Sequence, residues 1–213
     1  MPAKLRTKSW VLIFVVGTLW LGGAVFGLVG MLNYQTTPGT AAAPPSRWPA
    51  ESHIQRAVGQ ATLVLTVHPH CPCTRSTIGE LALLMTHCQG RVSAHVLFFK
   101  PPSMTDDWVK TDLWANASRI PGVTVTRDDN GEEAKRFHAA TSGQTILYDA
   151  DGKLVFSGGI TGGRGHSGEN AGRSAIVALL ADGRSQWRET FVYGCSLLNP
   201  NLTSVTQSVC CKK

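Results

Sequence analysis

From Trp10 to Ser46 the chain carries no Asp, Glu, Lys or Arg, and Trp10 to Leu32 is apolar almost throughout. As a helix, those residues would extend about 34 Å, enough to cross a hydrocarbon core of about 30 Å. Lys4, Arg6 and Lys8 precede the run, and the first acidic residue is Glu51. The positive-inside bias therefore predicts residues 1–9 in the cytoplasm, 10–32 as a transmembrane signal anchor, and everything beyond on the far side. A cleaved signal peptide has a shorter apolar region of about 7–15 residues. The small-residue run Thr40-Ala41-Ala42-Ala43 is followed at once by Pro44-Pro45, which disfavours cleavage there. For a bacterial chain this predicts a single-pass inner-membrane protein with a periplasmic domain.

That division leaves a Pro- and Ala-rich stretch, 33–50, expected to be a semi-extended linker. A domain over 51–182 and a cysteine-containing tail over 183–213 complete the chain. The net charge is +6, but three of the basic residues belong to the N-terminal flank. The rest are scattered among acids without interleaved aromatics, so a nucleic-acid partner is not indicated. Export means an oxidising setting in which disulfides persist. The cysteines fall at 71 and 73, at 88, and at 195, 210 and 211. Their connectivity cannot be read from spacing.

Within the domain, Glu51 to Gly59 reads as a short helix and Ala61 to Val67 as a strand buried on both faces. Thr74 to Cys88 has Ile78, Leu81, Ala82 and Met85 at helical spacing. Arg91 to Phe99 is the next strand. A helix over Thr105 to Ser118 with Thr105 as N-cap, a strand over Val123 to Thr126 and a helix over Gly131 to Ala140 follow. Gln144 to Tyr148 and Lys153 to Ser157 form a hairpin about Asp149-Ala150-Asp151-Gly152. A last helix covers Glu169 to Ala181. Strands joined through a helix should be parallel, so the domain is predicted to be an α/β sandwich on a central mixed sheet.

The chemistry concentrates in His68-Pro69-His70-Cys71-Pro72-Cys73-Thr74, between the first strand and its helix. A helix N-terminus carries unpaired N–H groups and partial positive charge, which favours a thiolate. His68 and His70 add positive charge when protonated or ligands when neutral. The topology returns two further loops to this edge, 141–144 and 158–168. Arg164 and His166 thereby become expected neighbours of the thiols, Arg164 as a stabiliser of a thiolate or an acidic substrate. Seven glycines between residues 158 and 172 exceed what a helix cap requires. They point to close backbone approach by a partner chain or ligand.

This order of elements, with a cysteine pair at the strand-to-helix turn and an Asp-Gly hairpin downstream, resembles the thioredoxin superfamily over roughly residues 52–182, especially its membrane-anchored periplasmic branches. The motifs His70-Cys71-Pro72-Cys73-Thr74, Ser157-Gly158-Gly159-Ile160-Thr161 and Arg164-Gly165-His166 with Asn170-Ala171-Gly172-Arg173 resemble the RedB-type thioredoxin-like proteins. The resemblance implies a thioredoxin-like sandwich and thiol–disulfide exchange with periplasmic protein thiols or disulfides, without a cofactor.

Two departures leave alternatives open. The family separates its cysteines by two residues, whereas here only Pro72 lies between them. Either Cys71 is the nucleophile of a shortened turn, or Cys73 matches the resolving cysteine and His70 stands at the nucleophile's place. A disulfide across Pro72 would close a small, strained ring. Otherwise a tail cysteine resolves. Cys195, Cys210 and Cys211 are candidates for that role or for a structural disulfide, with Cys195 expected to pair with Cys210 or Cys211. The second departure is a missing proline. The family places a cis-proline opposite the cysteines, and here Gly143 or Gln144 falls there, leaving room for a metal or a peroxide. A copper module would use Cys71 and Cys73 with His68, His70 or His166. The peroxiredoxin motif is not matched. Cys88 reads as a buried small hydrophobe.

Overall fold

The computed structural model describes residues 3–40 and 42–197, with side chains from residue 10 onward. Cys210 and Cys211 lie outside the described residues. The first unit is a single helix, α1 (Ala3–Thr36). Its segment Trp10–Thr36, 27 residues, is long and apolar enough to cross a membrane. The hydroxyl of Thr18 is satisfied within the helix by the Phe14 carbonyl at 3.0 Å, as an apolar surrounding demands.

The second unit, from Pro38 onward, is built on a five-stranded sheet. In chain order the strands are β1 (Ala61–Val67), β2 (Val92–Lys100), β3 (Val123–Asp129), β4 (Gln144–Tyr148) and β5 (Leu154–Gly158). They lie side by side as β3-β2-β1-β4-β5. β1 pairs parallel with β2 from Ala61↔Val92 to Val67↔Phe98, and β2 pairs parallel with β3. β4 runs antiparallel to both β1 and β5. The helices are α2 (Pro72–His87), α3 (Asp106–Val109), α4 (Asp112–Ser118), α5 (Glu132–Arg136) and α6 (Ala171–Asp182).

Alternation along β1 serves two cores. Leu63, Leu65 and Val67 pack against Ile78, Leu81 and Leu84 of α2, Leu113 of α4 and Ile176 of α6. Val64 faces the other way, onto Ile54, Phe137, Ile146 and Tyr148. Trp48 closes this second core edge-on to Phe137 and Tyr148, with ring centroids 5.1 and 5.3 Å away. Burying each large aliphatic side chain stabilises by about 1.5–3 kcal/mol, so β1 is the anchor of the domain. The cysteine turn leaves directly from its buried C-terminal end.

Four stretches differ from the sequence expectation. Residues 51–59 form turns rather than a helix. Glu133, buried at the start of α5, accepts the Ser52 hydroxyl and the His53 N–H and so diverts their backbone from helical bonding. The helix expected over 105–118 breaks at Lys110-Thr111 into α3 and α4, and Thr105 makes no side-chain cap. Within the stretch expected to be a linker, residues 38–40 and 42–48 are bonded along the domain. Gly39 N–H donates to the Val192 carbonyl at 2.8 Å, Tyr148 Oη to the Pro45 carbonyl at 3.0 Å, and Trp48 N–H to the Gly152 carbonyl at 2.8 Å. The early part of the tail, 187–197, is likewise built in. Ser157 N–H donates to the Arg188 carbonyl at 3.0 Å and Thr190 N–H to the Ser157 carbonyl at 3.3 Å, which covers the outer edge of β5.

Candidate active site

Cys71 is the N-cap residue of α2, and Pro72 takes the first helical position, where its missing N–H costs nothing. Cys71 is 2% exposed. The turn is closed by Cys71 N–H to the His68 carbonyl at 3.1 Å and by Thr74 Oγ1 to the same carbonyl at 3.0 Å. Ser142, from the loop before β4, receives the His68 N–H at 2.9 Å and lies 3.2 Å from the Thr74 hydroxyl. That serine joins the cysteine turn to the opposing loop.

Two further sulfurs neighbour Cys71. Cys195 Sγ lies 3.1 Å from Cys71 Sγ, and Cys73 is two residues on, in the first turn of α2. The hydrogen bonds from Cys195 and Cys73, reinforced by their backbone N–H groups, hold the Cys71 thiol far below the ordinary thiol range despite its burial. Cys73 moves the other way. As the donor to Cys71, desolvated and beside its charge, it is pushed well above the ordinary range, with Arg164 opposing. The arrangement favours the thiolate form of Cys71 over that of Cys73.

Cys195 reaches this position because 194–197 runs antiparallel to 140–142. Ser142 N–H donates to the Cys195 carbonyl and Leu197 N–H to the Ala140 carbonyl, both at 2.8 Å. Arg164 Nη1 donates to the Gly194 carbonyl at 2.8 Å. A Cβ on Gly194 would run into the Ser142 carbonyl, so only glycine permits the approach. The expectation that Cys195 pairs with Cys210 or Cys211 falls on partners outside the described residues. Its neighbour in the structure is Cys71.

The space opposite the cysteines, expected to be left open by the missing proline, is filled by this strap. Gly143 adopts φ +94° and donates its N–H to the Thr66 carbonyl at 2.7 Å. A proline can do neither. Part of the glycine run approaches the chain itself. Side chains at Gly158 and Gly159 would collide with Thr190 and with Phe191-Val192, whereas Gly162, Gly165 and Gly168 face open space.

Of the two loop residues expected beside the thiols, Arg164 arrives. His166 is exposed and turns Nδ1 to the Arg164 carbonyl at 3.1 Å. His70 directs Nε2 to the Trp108 carbonyl at 2.9 Å, and His68 Nδ1 accepts the His70 N–H at 3.2 Å. Burial holds His68 below its usual range, with Cys71 opposing and His70 reinforcing. The imidazoles expected as copper ligands are thus turned toward backbone groups. Among the described residues, no group of three or more His, Cys, Asp or Glu side chains is arranged to hold a metal ion. The donor set does not fit the two-cysteine, one-histidine copper site. Cys88 is fully buried in the main core, and burial pushes its thiol up.

The sequence reading missed Ser142 and Glu80. Glu80 is 1% exposed on α2. It accepts the Gly168 N–H at 2.7 Å, Asn170 Nδ2 at 3.1 Å and Arg173 Nη1 at 2.7 Å. This clasp fixes the Arg164 loop to the cysteine helix. A signal was present: Glu80 lies on the helical stripe Cys73, Thr77, Leu81, Leu84, where a solvated carboxylate is out of place.

No family model matches the chain, and no curated protein matches it. Solved structures do. An uncharacterised conserved protein from Geobacillus kaustophilus aligns with TM-score 0.56 and 20% identity, over 78% of this chain and 94% of that one. A hypothetical protein from Sinorhizobium meliloti aligns with TM-score 0.54 and 22% identity, over 76% and 93%. StoA from Bacillus subtilis is a looser match, with TM-score 0.41 and 18% identity over 57% and 88%. The likeness is one of fold. Mixed sheet order, a cysteine turn at the end of the central strand and an antiparallel hairpin downstream define the class: a thioredoxin-like sandwich, preceded by one helix able to span a membrane.

Proposed function

We propose that this chain is a thiol–disulfide oxidoreductase of the RedB type, anchored in the bacterial inner membrane by residues 10–32 with its domain in the periplasm. Its nucleophile is Cys71. The single observation that carries the reading is the Cys71 sulfur at a helix N-terminus, 3.1 Å from Cys195 Sγ and with Cys73 in the first turn beside it. A thiolate so held attacks a protein disulfide at neutral pH without a separate base. Arg164 offsets the charge from the glycine loop, and Pro72 stiffens the turn. The partners are periplasmic protein thiols or disulfides, and no cofactor enters the exchange. Lys4, Arg6 and Lys8 support the cytoplasmic N-terminus.

The test is reduction of a protein disulfide by the full-length chain in detergent, recycled by a dithiol. Cys71→Ser should fall to background while Cys88→Ser turns over like the parent. Parent activity at background, or a Cys71 that alkylates only in the ordinary thiol pH range, overturns the reading. Cu(I) added at one equivalent to the same protein examines the copper alternative. Binding that depends jointly on Cys71, Cys73 and His68, His70 or His166 would favour it.

A further inference from the structure

The oxidoreductase reading leaves open which thiol closes the reaction, and three features of the structure converge on one answer. Cys195 is the sulfur with a direct 3.1 Å approach to Cys71, from 124 residues away in sequence. Its backbone is held on both sides of the cysteine, by Ser142, Ala140 and Arg164. The approach also depends on a glycine at 194 packed against the Ser142 carbonyl. Cys73 is less well placed, although closer in sequence. It belongs to the first turn of α2, its carbonyl accepts the Thr77 hydroxyl at 3.2 Å, and Cys71 O accepts Thr74 N–H at 3.0 Å. Cys71 is the extended N-cap and Cys73 is already helical, and Pro72 fixes the dihedral between them. A Cys71–Cys73 bond would require this turn to unwind.

We propose that Cys195 is the resolving cysteine of the exchange, and that Gly194, Ser142 and Arg164 are positioning residues that present it to Cys71. The proposal rests on the reading of Cys71 as nucleophile. The Cys71 thiolate attacks one sulfur of a partner disulfide. The partner's S–S bond breaks, a Cys71–partner bond forms, and the second partner sulfur leaves as thiolate. Cys195 gives up its proton to that thiolate and attacks Cys71 Sγ. The Cys71–Cys195 bond forms, the first partner sulfur leaves as thiolate, and two electrons have passed from the protein's dithiol to the partner. A reducing dithiol protein restores the pair by the same exchange in reverse. Because the strap lies on 140–142, the edge that holds Cys195 is free for an extended partner segment only when the strap lifts.

Oxidised glutathione is a probe small enough to react without a docking surface. The protein is the full-length chain in detergent carrying Cys210→Ser and Cys211→Ser, with products read by mass spectrometry. The parent should end as a Cys71–Cys195 disulfide with no lasting adduct, and Cys73→Ser should reach the same product after a slower first attack, since it alters a neighbour that lowers the Cys71 pKa. Cys195→Ser should stop at a Cys71–glutathione mixed disulfide. Gly194→Val keeps the thiol but displaces the strap, so its adduct should persist at least about tenfold longer than the parent's. The urea midpoint of each variant reports whether it folds. A Cys71–Cys73 product, with Cys195→Ser clearing its adduct as fast as the parent, overturns the proposal. Parent-like clearance by folded Gly194→Val removes the positioning role. Absence of any adduct on Cys71 in all variants overturns the oxidoreductase reading instead.

Discussion

Cys71 has two sulfur neighbours that came to it by different routes, one through the helix and one through the fold. Cys73 is two residues away on the first turn of α2, stiffened by Pro72 and packed beside the Arg164 loop. Cys195 is held by a strap with no helix or strand of its own beyond short bridges, laid over the loop before β4. Both lie beside the Cys71 sulfur and lower its pKa. The strap is tied by backbone bonds to 140–142 and not built into a helix. Proximity in sequence gave Cys71 a neighbour on its own helix, whereas proximity in space gave it one from a separate segment.

The difference between the two regions can be broken first at the clasp that supports the helix side. Glu80→Ala leaves Arg173 without its carboxylate in a largely buried site, and should cost about 3 kcal/mol of unfolding free energy in urea. A cost below 1 kcal/mol would mean that the glycine loop is not held through α2. The strap side is tested by charge. Cys195→Ala removes the largest cause of the lowered Cys71 pKa, so the thiolate fraction on the acid side of neutrality should fall. The midpoint of the pH profile for Cys71 alkylation by iodoacetamide should rise by about one pH unit, roughly the worth of one hydrogen bond to a charged group. An unchanged midpoint would show that the helix side alone sets the thiolate. The smallest effect belongs to the link between the regions. Ser142→Ala strands the His68 N–H and should cost about 1 kcal/mol by the same urea measurement, with α2 and the strap both retained. Loss of the strap in that variant would make Ser142 its main fastener.

Legibility followed the range of the interactions. β1 was readable because Ala61 to Val67 is a continuous apolar run, and its ends match the structure. The turn at Cys71 was readable because Pro72 marks a first helical position. The hairpin was readable from Asp-Gly chemistry, with its strands displaced by at most one residue. Residues 51–59 were misread because helical spacing there is overridden by a carboxylate at Glu133, 80 residues on. Of the glycines singled out, Gly158, Gly159 and Gly172 are sites of close approach, and Gly162, Gly165 and Gly168 are not. That the approaching chain is residues 190–192 of the same molecule had no signature, since irregular segments carry no periodicity. The same holds for Cys195. Its tail position suggested a pairing with other tail cysteines, and nothing in Tyr193-Gly194-Cys195-Ser196 names Cys71.

By itself, the sequence determined the apolar N-terminal helix, the central strand that ends in a cysteine turn, and the placement of Cys71 where a helix N-terminus favours a thiolate. These depend on patterns within one or two elements, where hydrophobic spacing and capping act directly. Tertiary structure alone decided the rest: which sulfur reaches Cys71, that His166 does not, and that the place of the missing proline is filled by the chain's own strap. The physical reason is that those outcomes hang on backbone hydrogen bonds at 140–142 and on the absence of a single Cβ at Gly194. Neither is visible until the sheet has set the distance between the two loops.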